Sequence, residues 1–176
     1  MLISLAIKNF AIVKELEVQW HNAMTTITGE TGAGKSIAID ALGLALGERS
    51  EAGMVRSGAG KAEVIASFDV HKLPAAQAWL AEHELHMDDE CILRRVISKE
   101  GRSRAYINGT QVPAAQLKSL GSLLVSIHGQ HAHQLLIKPE HQRSLLDEYA
   151  ANQSLLAQVS VAHTTWQAKV KEFNDL

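Results

Sequence analysis

The stretch TTITGETGAGKS, Thr25 to Ser36, crowds Gly29, Gly32 and Gly34 into the residues directly ahead of Lys35. Glycines so close together weaken a strand or a helix, so the run reads as a loop shaped for something that presses against the main chain. Upstream, MTTIT (Met24 to Thr28) is a short β-branched run that stops at Gly29 and predicts a strand. Downstream, KSIAIDALGLAL (Lys35 to Leu46) carries apolar residues almost all round, as a buried helix does. Gly29-Glu30-Thr31-Gly32-Ala33-Gly34-Lys35-Ser36 matches G-x-x-x-x-G-K-[ST] in full, in the strand, loop and helix setting the motif requires. Without side chains in the way, the loop N–H groups converge on phosphate oxygens, and the helix start adds its positive dipole end. In this reading residues Gly29 through Ile37 hold ATP, Lys35 reaches the β- and γ-phosphates, and the Ser36 hydroxyl coordinates Mg²⁺.

Outward from the loop, the chain alternates between strand and helix patterns. Leu5 to Ile7, then Leu16, Val18 and Trp20, follow a period of two and predict two strands joined across NFAIV. After the loop-like GERSEAGMVRSGAGK, the segment AEVIASFDV predicts a strand, and PAAQAWLAEHEL a short surface helix opened by Pro74. ECILRRVI and RAYI read as a hairpin across SKEGRS, and Asn108-Gly109 signals a tight turn after it. PAAQLKSLG predicts a helix with Pro113 in its first turn and Gly121 as its stop, and SLLVSI a buried strand leading to HGQHAHQ. From about Pro139 onward the chain reads as helix. There Leu155, Val159, Ala162 and Trp166 recur at coiled-coil spacing, continuing loosely to Val170 and Phe173. No stop signal precedes Leu176, which suggests a fragment of a longer protein.

The 176 residues, 46% hydrophobic, suffice for a domain with a sizeable core. A formal charge of -2 leaves the whole chain without the electrostatic footprint of a nucleic-acid binder, so such contacts require a local patch. The single cysteine, Cys91, excludes an internal disulfide framework and fits a reducing cytoplasm, where the natural reading is a small buried hydrophobe. Lys8 and Lys14 interrupt the apolar N-terminus well short of a membrane span, and no export signal is visible.

Beyond the phosphate loop, IKNFAIVKELEVQWHNAMTTITGETGAGKSIAIDALGLALGERS, MVRSGAGKAEV, RRVISKEGRSRAYINGTQVP and IHGQHAHQLLIKPEHQRSLLD together resemble the N-terminal head segment of the RecN family of bacterial DNA repair ATPases, of the SMC-like group. The resemblance covers essentially the whole chain, and HGQHAHQ beside the phosphate loop is its most specific part. It implies an α/β P-loop NTPase fold of ABC-ATPase head type: an N-terminal lobe at 1–149, with a β-hairpin region, and the root of a coiled-coil arm at 150–176. It also implies a head split by a long antiparallel coiled coil, whose C-terminal half completes the ATPase, and a second head that sandwiches two ATP molecules. No LSGG-like signature and no convincing Walker B strand with a catalytic glutamate stand in the chain, so hydrolysis by this piece alone is not expected. In the intact protein the resemblance implies recombinational repair of DNA double-strand breaks within the SOS response, with DNA tethering, in the cytoplasm at the nucleoid and without a membrane partner.

The resemblance also distributes roles. Gln130 takes the Q-loop place, touching Mg²⁺ and sensing the γ-phosphate, with Gln134 as its alternative; an amide oxygen suits that hard cation. Arg56, in MVRSG, lies where SMC-like heads carry an arginine that reaches the nucleotide across the closed site. Lys8 and Asn9 lie in the segment that approaches nucleotide in related heads, but Ala11 and Ile12 depart from the pattern there, so the contact is not carried over. His128, His131 and His133 suggest a metal, but without a carboxylate or thiol among them zinc is disfavoured. Leu145-Leu146-Asp147-Glu148 superficially imitates a Walker B end, yet polar PEHQRS before it reads as helix.

Arg94, Arg95, Lys99, Arg102 and Arg104 put five positive charges into eleven residues of the proposed hairpin, with Lys61 nearby, enough to track a DNA backbone. A solvated hairpin accounts for the same charges, and Glu100 and MDDE dilute them. The rival functions are a transporter-type ABC ATPase subunit, a small-molecule kinase with a P-loop, and a non-catalytic DNA-tethering module gated by nucleotide. A GTPase is disfavoured by the absence of an N-K-x-D motif.

Overall fold

The computed structural model of the chain describes residues 1–21, 24–29, 35–127 and 139–175. Two compact units divide it, Met1–Ile127 and His128–Leu176.

The first unit is built on strands β1 (Leu2–Phe10), β2 (Val13–Gln19), β3 (Lys61–Asp69), β4 (Glu90–Ser98), β5 (Ser103–Ile107) and β6 (Thr110–Val112). They form one sheet in the order β2-β1-β3-β4-β5-β6, and every neighbouring pair is antiparallel. The period-two patterns carry this arrangement. Leu5 and Ile7, Val64, Ala66 and Phe68, Leu93 and Ile97, Ala105 and Ile107 all turn to the same buried face. That face is covered by α1 (Lys35–Ala45), whose Ala41, Leu44 and Ala45 are buried, and by α3 (Ala114–Leu124); α2 (Pro74–Glu82) packs on α3. Pro74 stands in the first turn of α2, where its missing N–H costs nothing, and buries Ala76 and Leu80 behind it.

Asn108 and Gly109 make the predicted tight turn between β5 and β6, with φ of 47° and 83°. Both ends of the Asn108 amide are used: Oδ1 accepts from the Ile92 N–H at 2.7 Å and Nδ2 donates to the Leu85 carbonyl at 2.7 Å. The turn is thereby bolted to β4 and to the loop after α2.

Four expectations are corrected. Met24–Thr28 is exposed and forms no strand; β-branched residues favour extended backbone, but a strand needs a neighbour, and the sheet offers it none among the described residues. SLLVSI is not a buried strand: Leu117, Leu120, Gly121 and Leu124 keep helical spacing, so α3 continues to Leu124 and residues 125–127 have no regular structure. Gly121 therefore does not stop the helix. It lies inside α3 because the helix crosses the end of α1 there, and an added Cβ would stand 2.5 Å from the Leu46 carbonyl oxygen. Helix α1 is also not apolar-buried all round, since Ile39 is half exposed and Asp40 and Ser36 face solvent.

The second unit contains α4 (Pro139–Tyr149) and α5 (Gln153–Asn174). Between them Ala151, at φ 52°, breaks what reads as continuous helix in the sequence. The stripe of α5 is uncovered, with Leu155 55%, Val159 58%, Trp166 60% and Phe173 77% exposed. Asp147 sits in helix α4 rather than at the end of a buried strand, which removes the Walker B imitation.

Candidate functional site

Of the phosphate loop, Glu30, Thr31, Gly32, Ala33 and Gly34 lie outside the described residues, as do Gln130, Gln134, His128, His131 and His133. Lys35 opens α1, Ser36 is exposed and Ile37 is half-buried. The first turn of a helix carries N–H groups with no partner in the helix itself, and α1 follows directly on the glycines. This donor set fits a triphosphate with Mg²⁺: first-turn amides of α1 for phosphate oxygens and the Ser36 hydroxyl for a hard cation.

A hollow of about 220 Å³ runs along α1 from Ile37 and Asp40 to Leu44 and Glu48, between the β1–β2 turn at Phe10 and Ala11 and the segment carrying Arg49 and Met54. Its walls are tied by main-chain bonds: Ala11 N–H donates to Met54 O at 2.7 Å and Arg56 N–H to Asn9 O at 2.9 Å, and Phe10 forms a bridge with Val55. Asn9 and Ala11 hold left-handed φ of 52° and 49°, a strained choice for a non-glycine residue that those bonds enforce. Arg56 is thus anchored through its backbone to the end of β1. The period-two pattern of the strands carries no signal for this lock, which depends on the loop between α1 and β3.

The basic cluster separates into two faces. Arg94 and Arg104 lie on the uncovered face of the sheet. Arg102 follows in the β4–β5 turn, and Lys61 on β3 joins them. With Gly60, Glu100 and Tyr106 they line a groove of about 520 Å³. Arg94 Nε donates to Glu63 Oε1 at 2.5 Å, and its guanidinium lies 4.8 Å from the centre of the Tyr106 ring. Lys99 is exposed at the turn and does not line the groove.

Arg95 is corrected outright. It shares the parity of Leu93 and Ile97, pairs with Val64 and Ala105, and is only 4% exposed on the helix-covered face. Its Nε has no partner among the described residues, and burial pushes the guanidinium below the usual arginine range. Cys91, on the same face, is fully buried, and burial, reinforced by Glu90, pushes its thiol up to about 12. It is the inert hydrophobe expected.

Among the described residues no group of His, Cys, Asp and Glu is arranged to hold a metal, and no helix is long and apolar enough to cross a membrane.

Comparison with known proteins adds the family. The chain is 55% identical over 176 residues to DNA repair protein RecN of Vibrio cholerae, covering all of this chain and 32% of that protein. It is 50% identical to RecN of Haemophilus influenzae over 98% of this chain and 32% of the relative, and 44% identical to RecN of Bacillus subtilis over 95% and 28%. The chain therefore spans about a third of the length of the curated relatives it matches. Among solved structures, the Smc head domain of Pyrococcus yayanosii with its coiled coil and joint superposes with a TM-score of 0.67 at 22% identity, over 89% of this chain and 33% of that one. A chain from work on ATP-driven dimerisation and DNA-stimulated activation of SMC ATPases gives 0.63 at 22%, over 84% and 98%. These likenesses bear out the α/β P-loop fold of ABC-ATPase head type. The AAA domain family matches residues 4–172, and the chain belongs to that family, resembling over its whole length an N-terminal SMC-like head segment of RecN.

Proposed function

We propose that this chain is the ATP-binding half of an SMC-like ATPase head that works in recombinational repair of DNA double-strand breaks. One observation carries the reading: the complete phosphate-loop sequence Gly29 to Ser36 runs into a helix that begins at Lys35. Residues Gly29 to Ile37 cradle the phosphates, Lys35 neutralises charge on the β- and γ-phosphates, and Ser36 with Gln130 ligates Mg²⁺. Arg56 serves the closed site between heads. Gln130 reports the γ-phosphate to the rest of the head, so that ATP binding and loss are converted into closure and opening.

Residues 1–149 form the head lobe and 150–176 the root of a coiled-coil arm, a division supported by the exposed apolar stripe of α5. A C-terminal half supplies the signature motif and the catalytic glutamate, and a second head completes an ATP-dependent dimer that tethers DNA. The place of action is the cytoplasm, at the nucleoid. Comparing ATP turnover of the chain alone with that of the chain mixed with the C-terminal remainder of its protein tests this reading.

A further inference from the structure

We propose that Gly58 and Asn9 are positioning residues for ATP hydrolysis: they hold the main chain of Arg56 from both sides, so that its side chain meets the nucleotide from a fixed root. This rests on the reading of Arg56 given above and deepens it. Arg56 lies in the loop between α1 and β3 with both of its main-chain polar groups taken. Its N–H donates to the Asn9 carbonyl at 2.9 Å, and its own carbonyl accepts from the Ala59 N–H at 2.9 Å. The second bond closes a tight turn over Arg56-Ser57-Gly58-Ala59, whose third residue, Gly58, stands at φ 83°. A positive φ at that place marks a type II turn, which glycine enters freely, asparagine with little strain and a β-branched residue only with much.

The hold on the other side is strained rather than relaxed. Asn9 and Ala11 keep left-handed φ of 52° and 49° on either side of Phe10, which bridges to Val55, while Ala11 N–H donates to Met54 O at 2.7 Å. Hairpins with two-residue loops place glycine where Ala11 stands. Strain kept at a non-glycine residue, and enforced by bonds to the segment leading into Arg56, is the kind that functional sites store.

The side chain on this root is available. Arg56 is half-buried and forms no ion pair among the described residues. Ile37, in the first turn of the helix that Lys35 opens, lines one hollow with Phe10, Ala11 and Met54, which brings the segment leading into Arg56 alongside that turn. An arginine stabilises charge on a transferring phosphoryl group only from the right position. A misplacement of about 1 Å costs on the order of a hundredfold in rate, and a long side chain on a loose root cannot hold that tolerance.

The test is steady-state ATP turnover by the full-length protein, for wild type, Gly58→Val, Gly58→Asn, Arg56→Ala and the double variant Arg56→Ala/Gly58→Val, with Gly109→Val as control. A Cβ on Gly58 or Gly109 meets nothing within 4 Å and both residues stand at φ 83°, so the two valines impose like backbone strain without a clash. Urea melts establish that each variant folds. Gly58→Val is expected to lower kcat roughly tenfold with KM for ATP within about twofold of wild type, the signature of a lost transition-state interaction. Gly58→Asn and Gly109→Val are expected to keep kcat near wild type, and the double variant to lose no more than Arg56→Ala alone. Wild-type kcat in Gly58→Val beside an impaired Arg56→Ala overturns the positioning role and leaves the reading of Arg56 standing. Equal losses in Gly58→Val and Gly109→Val, no rescue by asparagine, or losses that multiply in the double variant also overturn it. Wild-type turnover in Arg56→Ala overturns the reading of Arg56 itself.

Discussion

Replacing Gly121 by alanine sets two effects of opposite sign against each other at one atom. Gly121 lies inside α3, where alanine is the better helix former by about 1 kcal/mol. Propensity alone therefore predicts a more stable protein. The added Cβ, however, would meet the Leu46 carbonyl oxygen at 2.5 Å and the Leu46 carbonyl carbon and Cα at 3.1 Å. All three are backbone atoms at the end of α1 and cannot swing aside like a side-chain tip. The contact is reciprocal, since a Cβ on Gly47, itself at φ 100°, would lie 2.6 Å from the Lys118 Cα and N. Forcing extra volume into such a contact costs about 1–3 kcal/mol, toward the upper end where backbone must move. The net loss is about 1–2 kcal/mol, which moves a urea midpoint down by roughly 0.5–1 M for a domain of this size. Trp79 offers the optical probe, because its Nε1 donates to Ser119 Oγ on the same helix at 3.2 Å. A Gly121→Ala protein as stable as wild type, or more stable, would refute the close crossing of α1 and α3.

Two further outcomes follow from the covered face of the sheet. Because the folded Cys91 thiol is pushed up to about 12 from an ordinary 9.0, the unfolded chain loses that proton first; stability should be complete below pH 9 and fall between 9 and 12, at most about 1.4 kcal/mol per pH unit. Urea midpoints across that range check this, and a Cys91→Ala protein with the same decline contradicts it. Arg95→Met removes a buried charge whose Nε has no partner among the described residues while keeping an unbranched side chain, and should raise the urea midpoint by the equivalent of about 1–3 kcal/mol; a lower midpoint means the guanidinium has a partner that matters.

The strands of the first unit were legible because their signal is local. Alternation in AEVIASFDV and ECILRRVI specifies which residues face the helices, and Asn108-Gly109 specifies the turn. The same alternation was sufficient to separate Arg94 from Arg95, since Arg95 shares the parity of Leu93 and Ile97; counting charges without parity merged two faces into one patch. What local pattern could not carry was pairing and close approach. Met24–Thr28 has the composition of a strand but no neighbour among the described residues, and Gly121 has the identity of a helix stop but the job of admitting a backbone crossing. The nucleotide-site reading rests on a motif whose glycines answer a local need, and the loop that carries it, residues 30–34, lies outside the described residues. The lock of the β1–β2 turn onto the Met54–Arg56 segment was not legible, because main-chain bonds between distant residues leave no residue signature.

The central claim is that this chain binds MgATP through Lys35 and Ser36 but lacks the residues that hydrolyse it. The most direct test measures MgATP binding and phosphate release for the chain alone, for its Lys35→Ala variant, and for the chain mixed with the C-terminal remainder of its protein. The account predicts binding by the chain, no binding by the variant, and turnover in the mixture only. Brisk turnover by the purified chain alone, or undiminished ATP binding by the Lys35→Ala protein, would contradict it.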